Sequence, residues 1–172
     1  TEPARRADAR VVARRVRAIE AEHRRADIVV CGDLNEEPSE YRLANEAYPT
    51  ALMPADSIGA REDAQSSLYL SSDSEVVAAG SSTADASTAD ASTADASTAD
   101  AVVLYSPWSH EHAPGSYFFR GSWRRLDHTL VSGGLFDGRG FRFSSFAVVR
   151  PAFAVTADGR PKRSPRPGGE GW

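Results

Sequence analysis

Cysteine is almost missing from this chain. Cys31 stands alone, so no intrachain disulfide can form. Its place at the end of Ile28-Val29-Val30-Cys31, with no His or Arg cluster beside it, predicts a small core residue rather than a nucleophile. Long hydrophobic runs are missing too: none reaches the ~18 residues that a membrane-spanning helix needs. There is no excess of positive charge either. The formal net charge is −4, which argues against a chain that binds nucleic acid over its whole surface. Lys162 is the sole lysine. The arginines crowd two stretches, Arg5–Arg25 and Arg160–Arg166, in an Ala- and Arg-rich bias that accords with GC-rich coding. The sequence does not open on Met; the expectation is that the natural N-terminus lies upstream, and no cellular location is legible.

What is present suffices for one core. Hydrophobic residues make up 41% of 172, which predicts one domain over residues 1–156 followed by a mobile Gly/Pro/Arg-rich tail over 157–172. Val12, Val16 and Ile19 recur at helical spacing, with Ala9 extending the stripe, and predict an amphipathic helix over Ala7–Arg25. His23 falls near its C-terminal end, where an imidazole suits the negative end of the helix dipole. An apolar strand over Ile28–Cys31 follows, then a short helix opened by Pro38, for whose start Glu36 and Glu37 supply negative charge. Leu68–Leu70 and Val76-Val77 read as apolar pieces of a loop-rich stretch with one or two short strands, and Val102–Tyr105 reads as a strand. A hairpin is expected from Tyr117–Arg120 into a strand over 123–132, and Phe141–Phe143 with Phe146–Val149 as a further strand pair. Helix, strand and loop in succession predict an α/β (α+β) fold.

Residues 82–101 repeat Ser-Thr-Ala-Asp-Ala four times. Five residues turn a helix by about 500°, so successive Asp residues would stand about 140° apart. In a strand an odd spacing alternates faces. The repeated acids Asp85, Asp90, Asp95 and Asp100 therefore share no metal-binding face in either form. A small, polar, acidic segment with nothing to bury is expected to be a disordered insertion.

Two stretches carry chemistry. The first is Gly32-Asp33-Leu34-Asn35, directly after the apolar strand. In extended backbone Asp33 and Asn35 share a side while Leu34 turns inward. A carboxylate there can hold a divalent cation or orient a water, and a carboxamide can donate to a phosphoryl oxygen. Gly, Asp and Asn are also turn formers, so the tetrapeptide alone does not decide. The second is Trp123-Arg124-Arg125-Leu126-Asp127-His128-Thr129-Leu130, where Asp127 sits in a period-2 pattern and needs a partner unless it faces solvent. Fixing the tautomer of a catalytic imidazole would be one use for it. Ser109-His110-Glu111-His112 has a metal-like spacing, but no third ligand lies nearby and Pro107 and Pro114 bracket it, so surface histidines are expected.

Together the two stretches resemble the C-terminal half of the endonuclease/exonuclease/phosphatase superfamily of metal-dependent phosphoesterases. The tetrapeptide is similar to that family's Gly-Asp-[Phe/Leu]-Asn motif, and the Arg-Arg-Leu-Asp-His stretch to its arginine, aliphatic, aspartate, aromatic strand. The resemblance covers roughly Val11–Val131, with the repeat as an insertion, and implies half of a deoxyribonuclease-like two-sheet β-sandwich flanked by helices. It implies Mg²⁺ or Mn²⁺ at Asp33, catalytic roles for Asp33, Asn35 and Asp127, and substrate contacts from Asn35, Arg120 and Arg124. The substrate would be a phosphate ester, with nucleic acid favoured over phosphoinositide or phospholipid. The family's metal-binding Glu and its closing Ser-Asp-His have no counterpart in the sequence. The chain is therefore expected to be a fragment, nearly inactive alone, whose uncovered sheet face invites self-association. The competing expectation is a non-catalytic remnant that serves as a binding or assembly module.

Overall fold

The computed structural model describes residues 1–60, 68–80 and 101–162. Helix α1 spans Glu2–Glu22 and starts before its apolar stripe does, with Pro3 in the first turn, where a missing N–H costs nothing. Ala9, Ala13 and Val16, at i, i+4 and i+7, are its buried face; Val12 and Ile19 flank them. His23 caps the helix end and is exposed, 3.6 Å from Glu22. No described helix is long and apolar enough to cross a membrane.

Behind α1 lies a mixed five-stranded sheet. Its strands are β1 (Val29–Asp33), β2 (Leu52–Pro54), β3 (Leu68–Ser71), β4 (Val102–Tyr105) and β7 (Asp127–Val131), in the order β1-β7-β4-β3-β2. β7 runs antiparallel to β1 and β4, while β2, β3 and β4 are mutually parallel. A separate two-stranded ribbon pairs β5 (Tyr117–Phe119) with β6 (Ser122–Arg124). Short helices α2 (Glu40–Leu43) and α3 (Ser74–Gly80) complete a mixed α+β architecture.

Strand alternation divides the core in two. Leu52, Leu68, Leu70, Val102, Leu104 and Leu130 face α1. The intervening residues Met53, Tyr69, Tyr105 and Val131 face the other way and are covered by Tyr41 of α2, Val77 of α3 and Leu135. The central strands are thus buried on both faces, and among the described residues the extensive uncovered face expected from the sequence is not seen. In this sheet the large apolar side chain left open is Val29 on edge strand β1, 52% exposed.

Cys31 corrects the sequence reading for the same reason. Val30 and Leu34 take the core side of β1, which leaves Val29, Cys31 and Asp33 on the open side, and Cys31 is exposed. The apolar strand Ile28–Cys31 was expected to put Cys31 in the core, but β1 is an edge strand. Other corrections concern boundaries. Val76-Val77 lie in α3. The strand expected over 123–132 breaks at Arg125-Leu126, because β6 pairs with β5 whereas β7 pairs with β1 and β4. Residues 141–149 form no strand; Phe143 packs edge-on to Tyr105, and Phe146 edge-on to Trp108, as anchors of an irregular segment. The repeat through Asp100 and the end of the tail from 163 lie outside the described residues. Residues 157–162 form a turn closed by the Val155–Pro161 bridge.

Candidate functional site

Strands β1 and β7 run antiparallel in a register that sets Asp33 opposite Asp127 and Gly32 opposite His128. The N–H of Leu34 donates to the carbonyl of Leu126 at 2.9 Å. That hydrogen-bonded pair makes its neighbours, Asp33 and Asp127, a non-hydrogen-bonded pair, in which Cα atoms approach to about 4.5 Å and both side chains leave the same face. Both residues are exposed. Among the described residues neither forms an ion pair, so two like charges stand side by side without a cation. The backbone of Asp127 is held from both sides: its N–H donates to Ser116 Oγ at 3.2 Å, and its carbonyl accepts Trp108 Nε1–H at 2.9 Å.

The loop after β1 is built differently from the expectation. The strand ends at Asp33, and Asn35 adopts a left-handed conformation with φ of 52°. Its N–H donates to Asp33 Oδ1 at 2.9 Å, an Asx turn that ties the two residues together. This turn, rather than strand alternation, keeps them neighbours. Gly32 has φ of +154°, and nothing lies within 4 Å of where a Cβ would sit. Glycine is required there by backbone conformation, not by space. Asp33, Leu34 and Asn35 line a cavity of about 160 Å³ together with Arg5 and Asp8 of α1 and an apolar floor that includes Leu52. The Asn35 carbonyl accepts a hydrogen bond from Arg5 Nη1.

Arg124 reaches the same end of the sheet, but its Nη1 lies 3.0 Å from Glu37 Oε1, so its charge is taken up by that carboxylate. Arg120 does not join the group. It occupies the tip of the β5–β6 ribbon, where Arg120 and Gly121 have φ of 48° and 85°, the two left-handed positions of a tight hairpin turn. Its guanidinium lies over the Phe119 ring, 5.0 Å from the centroid.

Beneath the loop is a buried polar pair for which the sequence reading had assigned no role in the core. Glu36 is fully buried. Its carboxylate accepts the N–H groups of Leu52 at 2.6 Å and Ala51 at 3.1 Å, and Arg5 Nε stands 3.4 Å away. Burial pushes its pKa from 4.5 up to about 7, against the opposing effect of the Leu52 N–H. His128, on the core side of β7, donates from Nε2 to the Glu36 carbonyl at 2.8 Å and leaves Nδ1 without a hydrogen-bond partner. Burial lowers its pKa, with the Glu36 carbonyl opposing. The parity of His128 with Leu126 and Leu130 was a usable signal; nothing local marked Glu36 as buried. His128 faces away from Asp127, so it is not an imidazole that Asp127 could hold.

The His110–His112 loop has structural uses. The His110 ring stacks on Tyr105 at 6.2 Å, and its Nε2 lies 3.2 Å from the Ser72 carbonyl. Glu111 accepts the N–H groups of Ala113 and Val148 at 2.7 and 3.1 Å; the first is the main reason that its pKa is lowered. Among the described residues no group of three or more His, Cys, Asp or Glu is placed to hold a metal. Asp33 and Asp127 nevertheless present two carboxylates side by side, and Mg²⁺ is an ion that takes few protein carboxylates and keeps much of its water. Comparisons with family models, with curated proteins and with solved structures give no match to this chain.

Proposed function

We propose that the chain carries part of a divalent-cation-dependent phosphoester hydrolase site of the endonuclease/exonuclease/phosphatase kind. The supporting observation is the unpaired, face-to-face placement of Asp33 and Asp127. Like charges directly opposite each other weaken a sheet, and a site that uses them offsets that cost. In this reading Asp33 orients the attacking water, and the Asn35 carboxamide donates to a phosphoryl oxygen as charge builds there. Asp127 accepts the N–H of an imidazole and fixes its tautomer. Mg²⁺ or Mn²⁺, when bound, would polarise the phosphoryl oxygen and ease departure of the leaving group. Arg124 would reach substrate only by leaving Glu37, and Arg120 serves elsewhere. The deoxyribonuclease-like half-sandwich belongs to the same proposal, with phosphate esters as the substrate class and low activity for the chain alone.

The test is Mn²⁺ binding followed by electron paramagnetic resonance, alongside hydrolysis of bis(p-nitrophenyl) phosphate. Mn²⁺ should bind the native chain, be lost in Asp33→Asn and be weakened in Asp127→Asn, which removes the neighbouring negative charge. Binding that survives both substitutions, or no binding at millimolar Mn²⁺, would defeat the reading. Robust hydrolysis abolished by Asp33→Ala would uphold the site and refute low activity.

Open strand β1 favours a second reading, a non-catalytic assembly module. Val29 and Cys31 are exposed on an edge strand, the kind of feature that pairs with another chain. Concentration-dependent dimerisation abolished by Val29→Lys, with no Mn²⁺ binding, would favour it.

A further inference from the structure

The β5–β6 ribbon stands outside the main sheet. Its two faces differ. Phe118 and Trp123 meet edge to face at 5.3 Å, with Arg160 lying 5.1 Å over Phe118 and Arg150 5.3 Å over Trp123. That face is anchored on the segment 150–162. On the other face Tyr117 and Phe119, two residues apart, hold their rings within 17° of parallel and 6.0 Å apart, and the residues are 47% and 50% exposed. Cations gather at the tip. Arg120, Arg160 and Lys162 line a cavity of about 810 Å³ whose acidic member is Asp158, and Arg160 takes up that carboxylate at 3.0 Å. Lys162 Nζ donates to the Ala152 carbonyl, and among the described residues no carboxylate takes up its charge. This positive, aromatic surface belongs to a chain whose net charge is −4.

We propose that the β5–β6 ribbon binds single-stranded nucleic acid. Unpaired bases stack on Tyr117 and Phe119, and phosphates run past Arg120 and Lys162. Exposed rings beside cations suit this ligand because every base has a π-face, while the backbone supplies the charge that the arginine and lysine match. A duplex keeps its base faces stacked and offers such rings little. The inference does not rest on hydrolysis, and the measurement is made without divalent metal so that failure of the carboxylate site cannot affect it.

The experiment is fluorescence anisotropy of a labelled ~12-nucleotide oligothymidylate, within the site sizes that such surfaces cover, titrated with the full chain in EDTA. Single strands should bind more tightly than the matching duplex. Tyr117→Ser and Phe119→Ser should each weaken binding roughly tenfold or more. The paired change Arg120→Gln and Lys162→Gln should flatten the dependence of log K on log salt by about 0.7 per lost phosphate contact. Thermal melts of each variant guard against misfolding, and Tyr117→Trp, which keeps a stacking platform, should retain binding and show its fluorescence quenched by the bases. Equal affinity for duplex and single strand, indifference to both ring substitutions, or an unquenched Trp at position 117 would overturn the proposal. So would tight binding to phosphatidylserine vesicles with none to the oligonucleotide, since that would mark the surface as a membrane contact.

Discussion

His128 donates from Nε2 to the backbone carbonyl of Glu36 at 2.8 Å, and so ties a buried imidazole to the main chain of a residue whose carboxyl is also buried, next to the loop that carries Asp33 and Asn35. The two groups are displaced in directions that make stability depend on pH from both sides.

For Glu36 the folded pKa is raised, from 4.5 to about 7, so its contribution is fully present below 4.5 and lost as pH rises through 7. For His128 the folded pKa is lowered from 6.5, so its contribution is present above 6.5 and lost as pH falls. Between about pH 4.5 and 7 the two effects oppose each other: Glu36 withdraws at most roughly 3 kcal/mol across that window, while His128 adds stability as pH rises to 6.5, so the native protein should vary less with pH than a variant lacking either group. Urea midpoints from pH 4 to 8 would show this. Glu36→Gln should lower the whole curve, because an amide nitrogen then faces a backbone N–H, but it should remove the downward contribution between pH 4.5 and 7 and leave the rise with pH that His128 supplies. A decline that persists in that variant would mean that another group causes it.

The facing carboxylates make a stability prediction opposite in sign to their functional one. Replacing either Asp33 or Asp127 by Asn removes a like-charge pair across the sheet and should stabilise the metal-free protein by about 0.2–1 kcal/mol. Thermal denaturation in EDTA measures this. A loss of more than about 1 kcal/mol at Asp127 would show that its carboxylate has a structural partner.

Gly32 is held by its backbone, with φ of +154° and open space around the missing Cβ. Gly32→Ala should cost roughly 1–3 kcal/mol in chemical denaturation, the penalty for a side chain in a sparsely populated conformation. A neutral result would imply that the strand end relaxes freely, and would weaken the case that Asp33 is rigidly presented.

Trp108 is almost fully buried and donates to the Asp127 carbonyl at 2.9 Å. Trp108→Phe keeps most of the ring but leaves that carbonyl without its donor, at a cost of about 1–3 kcal/mol. Amide resonances of Asp127 and Leu126 should shift in the same variant. Unchanged resonances would mean that Trp108 only fills space.

Much of the local structure could be read in advance. The stripe Ala9, Val12, Val16, Ile19 is a helix face, and the alternation through Leu126, His128 and Leu130 gives the correct facing of β7. Those patterns repeat with the period of the backbone, so they survive without knowledge of neighbours. Cys31, Glu36 and Arg120 did not follow. The exposure of Cys31 depends on β1 being an edge, and the burial of Glu36 depends on Ala51 and Leu52 arriving with free N–H groups. Arg120 is carried away because β6 ends at Arg124 and pairs with β5 in a separate ribbon instead of running on into β7.

The amino-acid order alone determined that α1 is helical, that Val29–Cys31, Leu68–Leu70, Val102–Tyr105 and Asp127–Val131 are extended, and which side of α1 and β7 is apolar, because these depend on spacing within a few residues. Tertiary structure decided that Asp33 and Asp127, distant in sequence, share one cross-strand pair, and that Glu36 is buried while Asp33 is not. Register and burial are relations between segments: they are set when strands pair and cores close, and no local pattern records them in advance.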